Sequence, residues 1–388
     1  MRLLIIVGDF PPFLSGVGDY TDRLAAGLAR AGVDVTVLTL AGEDDGVERP
    51  YAVRREMPDF TMKSMSRAVA IAKEFDVINI QYPGVRFGRS PMMNLLPAVL
   101  RRRAPGVRIT TTIHDCRVMR WRWRLRTWPM VNAVHGLIHV DPGDWPYIDA
   151  WCSFGAPPHT CIPIASNVDV LPVTPADRLN WRSALGITPD ESAIAYFGIL
   201  YPHKGVDELL DAHAALRAKG HKLKTVIIGD FDRDEPFVAA MKKRFESAGV
   251  IWVPGASLNR VSECLHACDL AVLPFHSGTS TNRSSMLAAL GHGLPTVTTR
   301  GPATPKEITD LFDLELVPPK DAVMLAAAIE RVLIDASLRE RLTKNAGLVR
   351  SRVTWDGVAR QHVEFFERML GRTAAQSKPT APEVACAS

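Results

Sequence analysis

Short apolar runs and amphipathic stretches alternate along this chain. Leu3–Val7 is continuously apolar over five positions and bounded by polar residues, the pattern of a parallel strand buried on both faces. The segment after it carries Pro11, Pro12, Ser15, Gly16 and Gly18, then Leu24, Leu28 and Ala31 at helical spacing, and Gly32 stops that helix before a second apolar run, Val33–Leu38. The alternation continues. Helices are expected over 65–75 and 91–102, and strands over 77–81, 107–113, 137–140 and 161–168. The polar, proline-bearing stretch 169–177 reads as a linker. The pattern then restarts with strands over 193–197, 225–228, 250–253, 270–274, 294–299 and 314–317. Helices are expected over 206–218, 237–248, 261–267, 322–334 and 337–350, with one of about ten residues from Asn282 or Arg283. Repeated β-α-β units imply parallel sheets with right-handed crossovers. The predicted fold is therefore α/β, with two Rossmann-like doubly wound parallel-sheet domains facing a cleft. A long amphipathic helix, 355–370, comes last, and the Ala/Ser/Thr/Pro-rich tail 371–388 reads as disordered.

Size changes this picture little: 388 residues suit two domains. Hydrophobic residues make up 47% and charged residues 23%, ordinary for a globular chain, and a net charge of +4 is too mild to imply nucleic acid. The six cysteines show no paired metal spacing and read as thiols of a reducing compartment. No leader or membrane-spanning run is expected, so the localisation read from sequence is cytoplasmic, or peripheral at the inner face of a membrane. Charge is uneven, however. Residues 117–128, RVMRWRWRLRTW, hold five arginines and three tryptophans. Three readings stay open for this run: an anionic membrane surface, a clamp for an acidic acceptor, or a helix packed on its own domain.

Candidate chemistry sits where strands end. Gly16 and Gly18 allow close backbone approach to a ligand but lack the third glycine of a dinucleotide fingerprint. His114 follows the strand 107–113, a position at a parallel sheet's carboxyl edge, where it serves as a hydrogen-bond donor or acceptor or simply joins a loop network. Lys204, in Tyr-Pro-His-Lys-Gly, precedes a helix, where lysine is unfavourable without an anion. The loop Ser277, Gly278, Thr279, Ser280, Thr281 leads into a helix beside Arg283, a strand–loop–helix arrangement suited to phosphate. The plainer reading makes Thr281 or Asn282 only a helix cap.

The glycine loop after the first strand, the His114-Asp115 pair, Phe197-Gly198 followed by Pro202-x-Lys204-Gly205, and Gly291-x-Gly293-x-Pro295-x-Val297 together resemble the family 4 glycosyltransferases of GT-B fold. Thr354-Trp355-Asp356 resembles that family's closing helix, and the likeness runs from Met1 to about Leu370. The resemblance implies an acceptor-binding domain, 1–172 joined by helix 355–370, and a nucleotide-sugar-binding domain, 173–354. It implies retaining transfer of a sugar to a cell-envelope glycan, glycolipid or small glycoside, without metal or other cofactor. By position, His114 and Lys204 would be catalytic. Gly16, Lys204, Gly278, Thr279, Ser280, Thr281 and Arg283 would hold the donor, and Ser15, Asp19, Tyr20 and Asn167 the acceptor. Three departures stand out. The family's arginine after Phe-Gly is Ile199 here, and its two glutamates fall on Ser280 and Ala288. Arg283 is expected to replace the missing cation. A sugar-nucleotide epimerase and a nucleotide-sugar-binding protein without turnover are the alternatives.

Overall fold

The computed structural model describes residues 1–13, 15–83, 85–88, 90–114, 116–119, 121–229, 236–245, 249–306 and 308–372. The chain forms two compact units, Met1–Ala165 with the segment from Val353, and Ser166–Arg352. In the first, seven strands form one parallel sheet: β1 Arg2–Ile6, β2 Asp34–Leu40, β3 Ala52–Met57, β4 Val77–Tyr82, β5 Arg108–Ile113, β6 Gly136–His139 and β7 His159–Cys161. Their order is β3-β2-β1-β4-β5-β6-β7. The chain winds outward from β1 through β2 and β3, then returns to β4 on the other side of β1. The strand order thus reverses between β1 and β4, the place where open α/β sheets form a crevice at their carboxyl edge.

The second unit repeats the plan with six parallel strands: β8 Ser192–Phe197, β9 Leu223–Gly229, β10 Val250–Pro254, β11 Leu270–Leu273, β12 Thr296–Thr299 and β13 Glu315–Val317. Their order, β10-β9-β8-β11-β12-β13, reverses between β8 and β11. The loops after β8 and β11 are the ones that carry Lys204 and Arg283. Both cores are built from the apolar runs: Leu3–Val7 and the apolar residues of β4 are buried, as are Val226–Ile228 and Leu270–Leu273. The two-sheet α/β architecture read from sequence is the one observed.

Several details differ from the sequence reading. β3, of sequence AVRREM, was not foreseen; it is an edge strand whose Arg54 pairs with Glu56 and Glu74. Where a strand was expected over 161–168, the strand observed is His159–Cys161, and residues 162–168 carry no strand. Residues 166–172, read as the end of the first domain, are fastened to the second. The Leu171 amide donates to Ser262 Oγ at 3.1 Å, and Leu171 O meets His266 Nε2 at 3.1 Å. The supposed linker 169–177 contains a helix start: Thr174 and Asp177 form a reciprocal capping box, and Pro175–Ala184 is helical. The helix Trp355–Met369 belongs to the first unit, where Gly27 and Gly136 give its residues room and Arg30 meets Asp356 at 2.8 Å. The tail from 373 onward, expected to be disordered, lies outside the described residues. Among the described residues, no helix is long and apolar enough to cross a membrane.

Candidate functional site

In the first unit the site residues converge on the carboxyl ends of β1, β4 and β5. Ser15 caps the helix Gly16–Arg30: its Oγ accepts from the Gly18 amide at 3.4 Å and donates to Asp9 Oδ2 at 3.5 Å. Buried Asp9 also accepts the Arg86 amide at 2.9 Å, which ties the glycine loop to the loop after β4. Gly16 is exposed, with open space where a Cβ would point. Asp19, in the first helical turn, is half-buried; burial, reinforced by the charge of Asp22, pushes its carboxyl up to about 6.

His114 is held by a polar chain that the sequence reading missed. An amide oxygen only accepts, so the 2.9 Å contact between His114 Nε2 and Gln81 Oε1 places the ring proton on Nε2. The Gln81 amide donates in turn to Asn79 Oδ1 at 2.5 Å, and Asn79 Nδ2 donates to Thr110 Oγ1 and Thr112 Oγ1, each at 3.1 Å. Thr110 ends the chain on the Ile78 carbonyl at 3.0 Å. Every member is buried. The signal was present: Asn79 and Gln81 are the polar positions of an otherwise apolar, fully buried strand.

Tyr20, expected to meet the acceptor, is buried instead in a packing role. Its ring stands edge-on to His114 at 4.8 Å and to Trp355 at 5.4 Å. His362 Nδ1 donates to the Val358 carbonyl at 2.8 Å, leaving Nε2 to accept the Tyr20 hydroxyl at 3.3 Å. Burial holds His362 neutral, with its pKa lowered to about 4, and pushes the Tyr20 phenol well above its ordinary value. The C-terminal helix thereby buttresses His114 through Tyr20. Asn167, the other expected acceptor residue, belongs to the second unit.

In the second unit, Lys204 and Arg283 are brought to one aromatic ring. Lys204 Nζ lies 5.3 Å from the Phe275 ring centre and the Arg283 guanidinium carbon 4.9 Å from it. The two charges are no farther apart than the sum of those distances. Gly205 makes this possible. Its φ is +73°, and a Cβ there would stand 2.0 Å from the Pro274 carbonyl oxygen, so the turn after Lys204 rests directly on the chain leaving β11. The His276 amide bonds the His203 carbonyl at 3.1 Å, and Arg283 Nη2 donates to Ser277 Oγ at 2.8 Å. Burial, and after it the charges of Lys204 and Arg283, press the His203 pKa below its usual value.

The hydroxyl loop is more enclosed than expected. Gly278, with φ +87°, packs on Gly301. Thr279, Ser280 and Thr281 are buried; the Thr279 amide bonds the Thr299 carbonyl at 2.8 Å, and its Oγ1 donates to Met286 Sδ at 3.0 Å. Ser280 Oγ donates to Asn282 Oδ1. Neither Thr281 nor Asn282 caps the following helix. Its N-cap is Arg283 with no side-chain cap, so the first amides of Ser284–Gly291 carry no such partner. Ala288, where the family's second glutamate would fall, is fully buried. For a cation, the cluster that qualifies among the described residues is Asp207, Glu208 and His276, whose ligand atoms lie within 4.8 Å of one another. Its His276 Nε2 and Glu208 Oε1 already bond each other at 2.8 Å, and burial raises the Glu208 pKa.

Comparison with known proteins agrees with this geometry. The family model "Glycosyltransferase Family 4" matches residues 14–141, and "Glycosyl transferases group 1" matches 177–348. An uncharacterized glycosyltransferase of Methanocaldococcus jannaschii is 23% identical over 96% of this chain and 100% of its own. A D-inositol 3-phosphate glycosyltransferase of Jonesia denitrificans is 27% identical, but over 55% of this chain and 53% of its own, so the chain spans about half of that relative. Among solved structures, Anabaena HepE in complex with UDP-glucose superposes with a TM-score of 0.74 at 15% identity, over 95% of this chain and 100% of HepE. Two parallel-sheet units of this order, a family 4 match on the first and a group 1 match on the second lead to one conclusion: the chain belongs to the GT-B-fold glycosyltransferases of family 4.

Proposed function

We propose that this protein transfers a sugar from a nucleoside-diphosphate sugar to an acceptor hydroxyl with retention of anomeric configuration and without a metal ion. The observation that carries this reading is the pair of cations, Lys204 and Arg283, on the Phe275 ring at the order reversal of the second sheet. Arg283 takes the charge that Ile199 does not supply. As the bond from the anomeric carbon to the diphosphate oxygen breaks, negative charge grows on the diphosphate. Lys204, Arg283 and the amides opening helix Ser284–Gly291 are oriented to stabilise it. The acceptor oxygen then attacks from the face the leaving group departs, and its proton passes to a diphosphate oxygen. His114 serves beside the sugar as a ring with its proton fixed on Nε2. Ser15 and Asp19 line the acceptor side, and Gly16 lies by the donor phosphate. The envelope glycan, glycolipid or small-glycoside classes remain the acceptor expectation. The complex of HepE supports UDP-glucose as the first donor to try.

The test is transfer from UDP-glucose to a panel of acceptors, with proton NMR of the product's anomeric signal, in the presence and absence of EDTA. An α-linked product formed equally well in EDTA is expected. A β-linked product overturns retention. Loss of turnover in EDTA, restored by a divalent cation and abolished in Glu208→Gln, overturns metal independence and points to the Asp207–Glu208–His276 cluster. UDP-glucose binding without turnover on any acceptor, or release of a new sugar without one, supports a binding protein or an epimerase instead.

A further inference from the structure

The run read from sequence as an arginine- and tryptophan-rich helix is helical over Trp121–Val131. Its inner face is core: Thr127, Met130 and Val131 are buried. The outer face is unusual. Trp121, Leu125 and Trp128 follow one another at helical spacings of four and three and are 63%, 48% and 40% exposed. Phe154, 80% exposed, extends the same surface, with its ring centre 6.3 Å from that of Trp128. The loop bearing Phe154 is fastened in place. Trp128 Nε1 donates to Ser153 Oγ at 2.8 Å, and Asn132 donates to the Trp151 carbonyl at 2.7 Å and accepts the Phe154 amide at 3.4 Å. Trp128 thus has its polar atom satisfied from within, while its ring joins the outer face.

The sequence of this helix and the turn before it is one-sided in charge, although Arg117 turns inward to pair with Asp141 at 3.5 Å. Residues 116–131 contain five arginines and no acidic residue. Arg122 is exposed and lies over the Trp121 ring, its guanidinium carbon 5.5 Å from the ring centre. Single exposed apolar side chains are ordinary, but a contiguous apolar ridge with an exposed arginine beside it is not. Tryptophan favours the boundary between headgroups and acyl chains, and arginine meets lipid phosphate.

We propose that the ridge Trp121–Leu125–Trp128–Phe154 is a docking surface for an anionic lipid bilayer, with Arg122 meeting the headgroups. The helix begins just beyond β5, so the ridge starts at the same carboxyl edge of the first sheet as His114. The surface therefore brings the acceptor side of this unit to the membrane, and fits a lipid-linked acceptor.

The test is sedimentation of the full chain with large vesicles, either pure phosphatidylcholine or phosphatidylcholine with about one third phosphatidylglycerol. Binding to the anionic vesicles alone is expected, weakening as salt rises. Trp121→Ser with Leu125→Ser should lower the partition coefficient by about tenfold or more. Arg122→Glu, a change of two charges, should lower it by roughly thirtyfold. Both variants should keep the wild-type unfolding midpoint and UDP affinity, since the altered side chains point outward. Equal binding to both vesicle types, no binding to either, or binding indifferent to both variants overturns the proposal. So does a lipid-free dimer in sedimentation velocity that the Trp121/Leu125 variant dissociates, because a second copy would then cover the ridge. Vesicle binding requires no turnover, so this test stands apart from that of the sugar-transfer reading.

Discussion

Replacing Gln81 by leucine tests whether the buried chain behind His114 sets the ring's proton. Leucine has nearly the volume of glutamine but neither donor nor acceptor. Asn79 Oδ1 keeps a partner in Thr112 Oγ1 at 3.2 Å, so the damage concentrates on His114 Nε2–H, which loses its acceptor in a buried site. A stranded buried donor costs about 1–3 kcal/mol. For a unit of this size each kcal/mol moves the unfolding midpoint by about 2–4 °C, so a fall of roughly 2–12 °C is expected for the first unit. The ring can escape by moving its proton to Nδ1, which reverses the edge it offers the sugar. We therefore expect kcat to fall at least tenfold, toward the hundredfold that small misplacements produce, with donor KM unchanged. The assay combines thermal unfolding, steady-state transfer and 15N NMR of histidine-labelled protein, which reads the tautomer. Gln81→Glu restores an acceptor for Nε2–H but sets a carboxylate against Asn79 Oδ1, so it should recover the tautomer and not the stability. A Gln81→Leu protein with the wild-type midpoint and an unchanged Nε2–H signal would refute the reasoning.

The two glycines of the first loop should separate cleanly. A Cβ on Gly18 would stand 2.8 Å from the Asp9 carbonyl oxygen, so Gly18→Ala is expected to cost about 1–3 kcal/mol, whereas Gly16→Ala meets open space and should leave the stability within about 0.5 kcal/mol of wild type while weakening ligand binding, as read by calorimetry. Stability should also fall in acid. His362, His292 and His135 have folded pKa values lowered to about 4 by burial, against 6.5 unfolded. Between those values the unfolded chain binds more protons, so their contribution is complete above 6.5 and is lost as pH drops toward 4. Asp19, raised to about 6, opposes this between about 6 and 3.8, and three histidines outweigh one carboxyl. A thermal-melt series from pH 7 to pH 4.5 should show a steady decline, shallower in His362→Gln, and a flat series would contradict the burial of these rings.

Much of this architecture was legible because parallel strands covered on both faces must be apolar throughout. Leu3–Val7 and Leu270–Leu273 show that pattern without tertiary context. Edge strands do not obey it. In β3, Arg54 and Glu56 satisfy each other in partial contact with water, so the sequence reads as loop although the backbone pairs with β2. The Thr174–Asp177 capping box was visible in principle, but Pro175 at the helix start suggested a linker. At the site, the positions of Lys204 and Arg283 followed from strand–loop–helix order, while the ring they share did not. Phe275 follows an apolar strand and reads as its continuation, and only the folded loop shows its ring beneath two cations. Tyr20 shows another thing the sequence could not reveal. Next to a glycine loop it looks like a ligand contact, yet the partner that buries it, His362, lies 342 residues away.

Calorimetric titration of UDP into the wild-type chain, Lys204→Ala, Arg283→Ala and the double variant bears most directly on the proposed donor site. If both cations hold one diphosphate, each single variant should weaken binding by roughly tenfold or more, as expected for charge-assisted hydrogen bonds worth about 1.5–3 kcal/mol. The two losses should be non-additive, because the residues share one ligand and one ring. UDP affinity unchanged in Arg283→Ala would show that Arg283 does not replace the cation absent at Ile199. Affinity unchanged in both variants would contradict the donor site itself.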